Sequence, residues 1–150
     1  MGRLNQKLFF RAATPDDFQL TFQIKKLSIK PSIDKIWGWD DEAQLNFHTQ
    51  HFKPERVKII QNEHHVDIGL LSLTEDSTCL RIENILICDF AQGQGIGTAI
   101  LSGLTEKARS TGKRAELQVF KINERAMMLY ANLGFKITGQ TDLHYQMVFE

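Results

Sequence analysis

A mixed α/β domain built on one central, mostly antiparallel sheet with about four helices is predicted for these 150 residues. Two observations predict it. The apolar period is helical between residues 14 and 52, strand-like between 56 and 88, and alternates between the two thereafter. A glycine-rich turn, residues 92–97, then joins a strand to a helix.

The elements follow in order. Lys7 to Ala13 reads as a first strand, closed by Thr14-Pro15-Asp16-Asp17: a cap residue, a proline suited to the first helical position and two acids at the positive end of a helix. The helix that follows is expected to reach about Leu27 and to be broken at Pro31; a second runs from Asp40 to Phe52, stopping before Pro54. Both tryptophans lie between them, at Trp37 and Trp39. Arg56 to Gln61, His65 to Thr74 and Thr78 to Cys88 are β-branched and Leu-rich runs separated by turn residues, which predicts a three-stranded meander. Ile96, Ile100, Leu101, Leu104 and Ala108 recur at helical spacing before Gly112, and Ala115 to Phe120 is a strand. Asn123 can cap a helix whose Ala126, Leu129, Tyr130 and Leu133 form one apolar stripe ended by Gly134. Phe135 to Gly139 and Leu143 to Phe149 are the last strands. The predicted order is β-α-α-β-β-β-α-β-α-β-β, one domain over 1–150.

Composition narrows what such a domain does. About 69% of the surface of a chain of this length can be buried, enough for one core. Eighteen Lys and Arg balance eighteen Asp and Glu, so there is no overall basic field for a nucleic acid and no acidic excess that would keep the chain unfolded. Cys79 and Cys88 bound one predicted strand, about 30 Å apart if extended, and are not expected to bridge. A reducing cytoplasm is the expected setting. The first residues, Met1 to Lys7, carry no uninterrupted apolar run, and no stretch approaches the length of a membrane span. A soluble protein with no membrane or nucleic-acid partner is expected.

Gln92-Gly93-Gln94-Gly95-Ile96-Gly97 is the sharpest feature. Glycines at alternate positions clear Cβ atoms from a strand-to-helix turn, so an anion can approach backbone N–H groups that carry the partial positive charge of the helix N-terminus. A glycine turn without a ligand is the bland alternative. A dinucleotide fingerprint fails, because Thr98 or Ile100 stands where its third glycine belongs, and no Gly-Lys-Ser/Thr occurs for a nucleotide P-loop.

With these residues the chain resembles the GNAT family, the Gcn5-related N-acetyltransferases. Gln92, Gly95 and Gly97 match its Gln/Arg-x-x-Gly-x-Gly/Ala signature after the run Ile85-Leu86-Ile87. Asn123, Ala126, Leu129, Tyr130 and Leu133-Gly134-Phe135 match its second segment. The preceding loop, Cys88-Asp89-Phe90-Ala91, lacks the proline many relatives carry. The resemblance implies a single-domain GNAT fold and acetyl-CoA as cosubstrate, with no metal. Gln92, Gly93 and the backbone amides of Gln94, Gly95, Gly97 and Thr98 would hold its pyrophosphate, and Ile85, Leu86 and Ile87 would line its pantetheine arm, the backbones of Ile85 and Ile87 pairing with it like an added strand. Asn123 would touch the same arm or serve only as a helix cap.

Acetyl transfer to an amine needs a base for the amine and a proton for the departing thiolate. The resemblance assigns the acid to Tyr130, whose competing reading is a member of the apolar stripe. Glu83 stands near a glutamate base of some relatives and is expected to be partly buried among isoleucines, with its pKa raised; its alternatives are a solvated strand carboxylate, or water relays in its place. Trp37 and Trp39, next to Asp40, Asp41 and Glu42, suit a cationic amine or else anchor a core and cap a helix. His144 is a candidate for the acceptor pocket. His48 and His51 lie one helical turn apart but lack a third ligand at fixed spacing, and are expected to be solvated or packed. The acceptor is expected to be a small-molecule or protein amine, and the apolar C-terminal strand Tyr145 to Phe149, expected to be exposed, suggests a homodimer. A GNAT-fold module that binds acyl-CoA without turnover is the alternative function.

Overall fold

The computed structural model describes residues 6–150; the reading of the first five residues lies outside it. Strands β1 (Phe9–Ala12), β2 (Val57–Gln61), β3 (Asp67–Glu75), β4 (Cys79–Ile87), β5 (Arg114–Phe120), β6 (Lys136–Gln140) and β7 (His144–Phe149) form one sheet in the order β1-β2-β3-β4-β5-β7-β6. Helices α1 (Phe18–Ile36), α2 (Asp41–His51), α3 (Ile96–Ser110) and α4 (Glu124–Asn132) complete the predicted order of elements. Every pair is antiparallel except β4–β5. Among the described residues no helix is long and apolar enough to cross a membrane.

Local chemistry explains most of the boundaries. Asp40 accepts from the N–H groups of Glu42 and Ala43 and starts α2, and Asn123 accepts from that of Ala126 and starts α4. Gly112 and Gly134, at φ +70° and +105°, follow the ends of α3 and α4. Asp17, buried, pairs both carboxylate oxygens with the Arg11 guanidinium and accepts from the Thr14 N–H, fixing β1 to the start of α1.

Pro31 does not break the first helix, contrary to expectation: α1 runs nine residues past Leu27, to Ile36. Pro31 and Leu27 are both exposed, so the Leu27 carbonyl that loses its donor lies on the solvent side, where water can bond it. The inner face continues past Pro31 to buried Ile33.

Helices cover both faces of the sheet. Ile82, Leu117, Met147 and Phe149 pack with Ile96, Ile100 and Leu101 of α3, while Ile59, Leu70 and Leu86 pack with Ile24 of α1. Strand β4 changes phase midway. Ser72 pairs with Asn84 but Leu73 with Ile82, leaving Glu83 as the extra residue of a bulge. Before it Ile82 faces the α3 core; after it Ile85 and Ile87 do, where an unbroken strand would have presented residues 84 and 86.

The predicted exposed apolar C-terminal strand is corrected. β7 lies between β5 and β6, and its Met147 and Phe149 are buried, so their apolarity is used inside the domain.

His48 joins α2 to α1. Only 1% exposed, it sits among the rings of Phe18, Phe22 and Phe52, its Nε2 being 3.0 Å from both the Phe18 carbonyl and the Thr21 hydroxyl. The carbonyl only accepts, so the proton belongs on Nε2 and buried Nδ1 is left without a partner. Burial, with Lys25 nearby, pushes the His48 pKa down, and burial lowers that of His144 too. Between the unfolded value of about 6.5 and the lowered folded value the unfolded chain binds the extra proton, so stability falls as pH drops below about 6.5. One such histidine contributes a slope of at most about 1.4 kcal/mol per pH unit. His48→Phe is therefore expected to flatten the decline in urea-unfolding free energy between pH 7.5 and 5. An unchanged slope would show that His48 titrates normally.

Candidate acetyl-donor site

The pairing of β4 with β5 is short, Cys79–Arg81 against Arg114–Glu116, and beyond it the strands part. The split opens a cavity of about 350 Å3, walled by α1, the end of β4, the glycine turn and the start of α4. Immediately past β4, the Cys88 N–H donates to the Ile68 carbonyl. By antiparallel alternation Ile85 and Ile87 therefore turn their backbone groups away from β3, toward the split. An extended ligand can bond this free edge, as the resemblance implied for the pantetheine arm. One of its groups is already engaged, since the Ile87 carbonyl accepts from the Gln92 side-chain amide at 2.9 Å. Gln92 thus braces the turn onto β4.

The turn has the predicted openness. Gly93 and Gly95 have φ of +78° and +81°, and a Cβ placed on Gly93, Gly95 or Gly97 would meet no atom within 4 Å. Gly95 caps α3, which leaves the first-turn N–H groups of Ile96, Gly97 and Thr98 without helical acceptors at the cavity wall. That cradle fits the phosphates of a CoA-type molecule. Gln94 is the exception among the predicted turn residues: it does not line the cavity, and its side chain accepts from Gln6 at 3.1 Å.

Asn123, Ala126, Leu129 and Tyr130 form the opposite wall. The Asn123 side-chain oxygen is engaged as the α4 cap. The Tyr130 ring packs edge-on to Phe135 at 6.0 Å, and its hydroxyl has no hydrogen-bond partner among the described residues. Burial raises its pKa above the ordinary value of about 10, so the phenol stays protonated at neutral pH. A neutral phenol can donate a hydrogen bond.

Glu83 lies elsewhere. Its expected burial is corrected: it is exposed at the bulge and bonded to Arg56 at 3.3 Å. It lines a second hollow, of about 440 Å3, with Arg81, Glu116, Gln118 and Gln146. These residues alternate with buried Ile82, Leu117 and Met147, so the hollow is on the sheet face away from α3. Two arginines, Arg81 and Arg114, hold Glu116.

None of the predicted acceptor residues lines the cavity. Trp37 is 64% exposed just past α1. Trp39 packs on Phe22, and its indole N–H donates to Asp41, which also takes Lys26. With Asp40 capping α2, these acids serve local structure. The His144 ring packs at a tilt against Phe120, a cavity residue, at 4.4 Å and so stands behind the wall. His51 bonds the Phe47 carbonyl.

The sequence reading missed Ser28, Ile29 and Ser32 of α1, together with Phe120 and Arg125, all of which line the cavity. The three α1 residues were hidden by the helix end assumed before Pro31. Arg125 carried a signal: a cation at the second position of a helix, where acids are favoured.

Residues 23–135 match the model of the acetyltransferase (GNAT) family. The uncharacterized N-acetyltransferase YobR of Bacillus subtilis (strain 168) is 40% identical over 67 residues, 44% of this chain and 26% of that protein. The match thus spans about a quarter of that relative's length. Among solved structures, the fold resembles the PaiA N-acetyltransferase of Thermoplasma acidophilum in complex with coenzyme A (TM-score 0.76, 14% identity, 96% of this chain and 99% of that one). It also resembles an acetyltransferase of Thermus thermophilus (TM-score 0.70, 19% identity, 95% and 96%), and a spermidine N-acetyltransferase SpeG chimera from Vibrio cholerae and hSSAT (TM-score 0.64, 15% identity, 95% and 94%). At these identities the structures speak for the fold; with the family model covering most of its length, the chain belongs to the GNAT acetyltransferase family.

Proposed function

We propose that this protein is an acetyl-CoA-dependent N-acetyltransferase that moves the acetyl group directly from the thioester to a primary amine. The observation that carries the reading is the coincidence, in one cavity, of an open glycine cradle, a free strand edge at Ile85 and Ile87, and a protonated phenol at Tyr130. Acetyl-CoA, when bound, supplies the activated acyl group. The chain's part is to hold phosphate at Gly95, Gly97 and Thr98, align the arm along β4, and offer the Tyr130 proton to the leaving sulfur.

For the amine's proton, the exposure of Glu83 and its bond to Arg56 favour water over this carboxylate. Glu83 lines the other hollow, and its carboxylate is already engaged by the Arg56 guanidinium. The acceptor is a small-molecule or protein amine.

Acetyl-CoA at one hundred times its dissociation constant should stabilise the protein by about 2.7 kcal/mol, read as a shift in thermal unfolding. A panel of amines assayed for thiol release then separates an enzyme from a binding module. No thermal shift would sink both readings, and a shift without turnover on any amine would leave the module.

A further inference from the structure

Resting on that reading, we infer that Arg125 clamps the phosphates of the CoA-type donor, supplying from α4 the positive charge that the glycine turn lacks. Residues 88–99 contain no Lys or Arg, and their one charged side chain is the acid Asp89. Gln92, at the turn's first position, is spent on the Ile87 carbonyl. The cradle can therefore offer only neutral backbone donors and a helix end, against a ligand carrying several negative charges. Backbone amides orient a phosphate, but they do not neutralise it.

The missing charge is found across the cavity. Among the described residues that line it, Arg125 is the sole cation and no Asp or Glu is present. It is exposed and takes part in no ion pair among the described residues. Its placement runs against local preference: as the second residue of α4 it adds a cation to the positive end of a helix dipole, where its neighbour Glu124 is the favoured type. A dianionic ligand shared between the start of α3 and the start of α4 reverses that penalty. The guanidinium fork also matches two phosphate oxygens at once, which an ammonium cannot do.

The test compares wild type, Arg125→Gln and Arg125→Lys by calorimetric titration with CoA and with acetyl-pantetheine, which has no nucleotide phosphates. Arg125→Gln is expected to weaken CoA at least tenfold and to reduce the dependence of affinity on salt. Arg125→Lys should recover part of the loss, and acetyl-pantetheine should bind all three proteins alike. CoA affinity within twofold of wild type in Arg125→Gln would overturn the assignment. So would an equal loss for both ligands, which would mark Arg125 as a structural residue of the wall. Thermal unfolding of each variant without ligand checks its fold. Wild type failing to bind CoA at all would instead refute the acetyltransferase reading.

Discussion

Gly97→Val is expected to weaken acetyl-CoA binding at least about 100-fold, close to 2.7 kcal/mol, while leaving the free protein as stable as before. Gly97 is the second residue of α3, where its N–H has no helical acceptor. A Cβ there meets no protein atom within 4 Å, so the added methyls would occupy the space the phosphates need without disturbing a neighbour. Valine is also a better helix former than glycine. Gly95 is a poorer probe, because its φ of +81° would strain any replacement and confound loss of binding with distortion of the turn. Titration calorimetry with acetyl-CoA, paired with thermal unfolding of the free variant, gives both quantities. Binding retained in a folded Gly97→Val protein would remove the turn from the donor site.

Tyr130→Phe should lower kcat by about 100-fold, at the lower end of what a positioned general acid contributes, with the acetyl-CoA dissociation constant changed by less than about threefold. The split between rate and affinity is diagnostic. Phenylalanine keeps the edge contact with Phe135 and the cavity wall, so only the proton is withdrawn. Because burial holds the phenol's pKa above the ordinary value, the wild-type rate should not fall through loss of this proton anywhere near neutrality. Glu83→Gln serves as the contrast in the same assay and should retain most of its kcat. An unchanged kcat in Tyr130→Phe would remove the tyrosine from the chemistry.

What could be read from the residues beforehand follows a physical division. Elements set by local signals were legible: the caps at Asp40 and Asn123, the meander, and the stripe of α4 all depend on neighbours within a few positions. The cradle was legible for the same reason, being one contiguous turn. Pro31 misled because a proline's effect on a helix depends on whether the orphaned carbonyl meets water or core, which is a tertiary fact. Glu83 misled similarly, since its solvent exposure and its bond to Arg56, 27 residues away, are products of strand register. The acceptor side was inferred from aromatic and acidic side chains of which Trp39 and Asp41 bond each other, Asp40 caps α2 and Trp37 lies exposed.

The bulge at Glu83 makes β4 tolerant of one kind of change and intolerant of another. Any side chain at an exposed surplus residue leaves the register intact, so substitutions there cost little structure. Loss of the surplus residue would place Asn84 directly after Ile82 in a regular pleat and leave Ile85 and Ile87 on the α3 side, whereas straightening the strand with the residue retained would invert every later position and turn those two isoleucines toward α1. The strand thus tolerates replacement or loss of this residue, and what it must keep is the pairing of Asn84 with Ser72 and of Ile82 with Leu73.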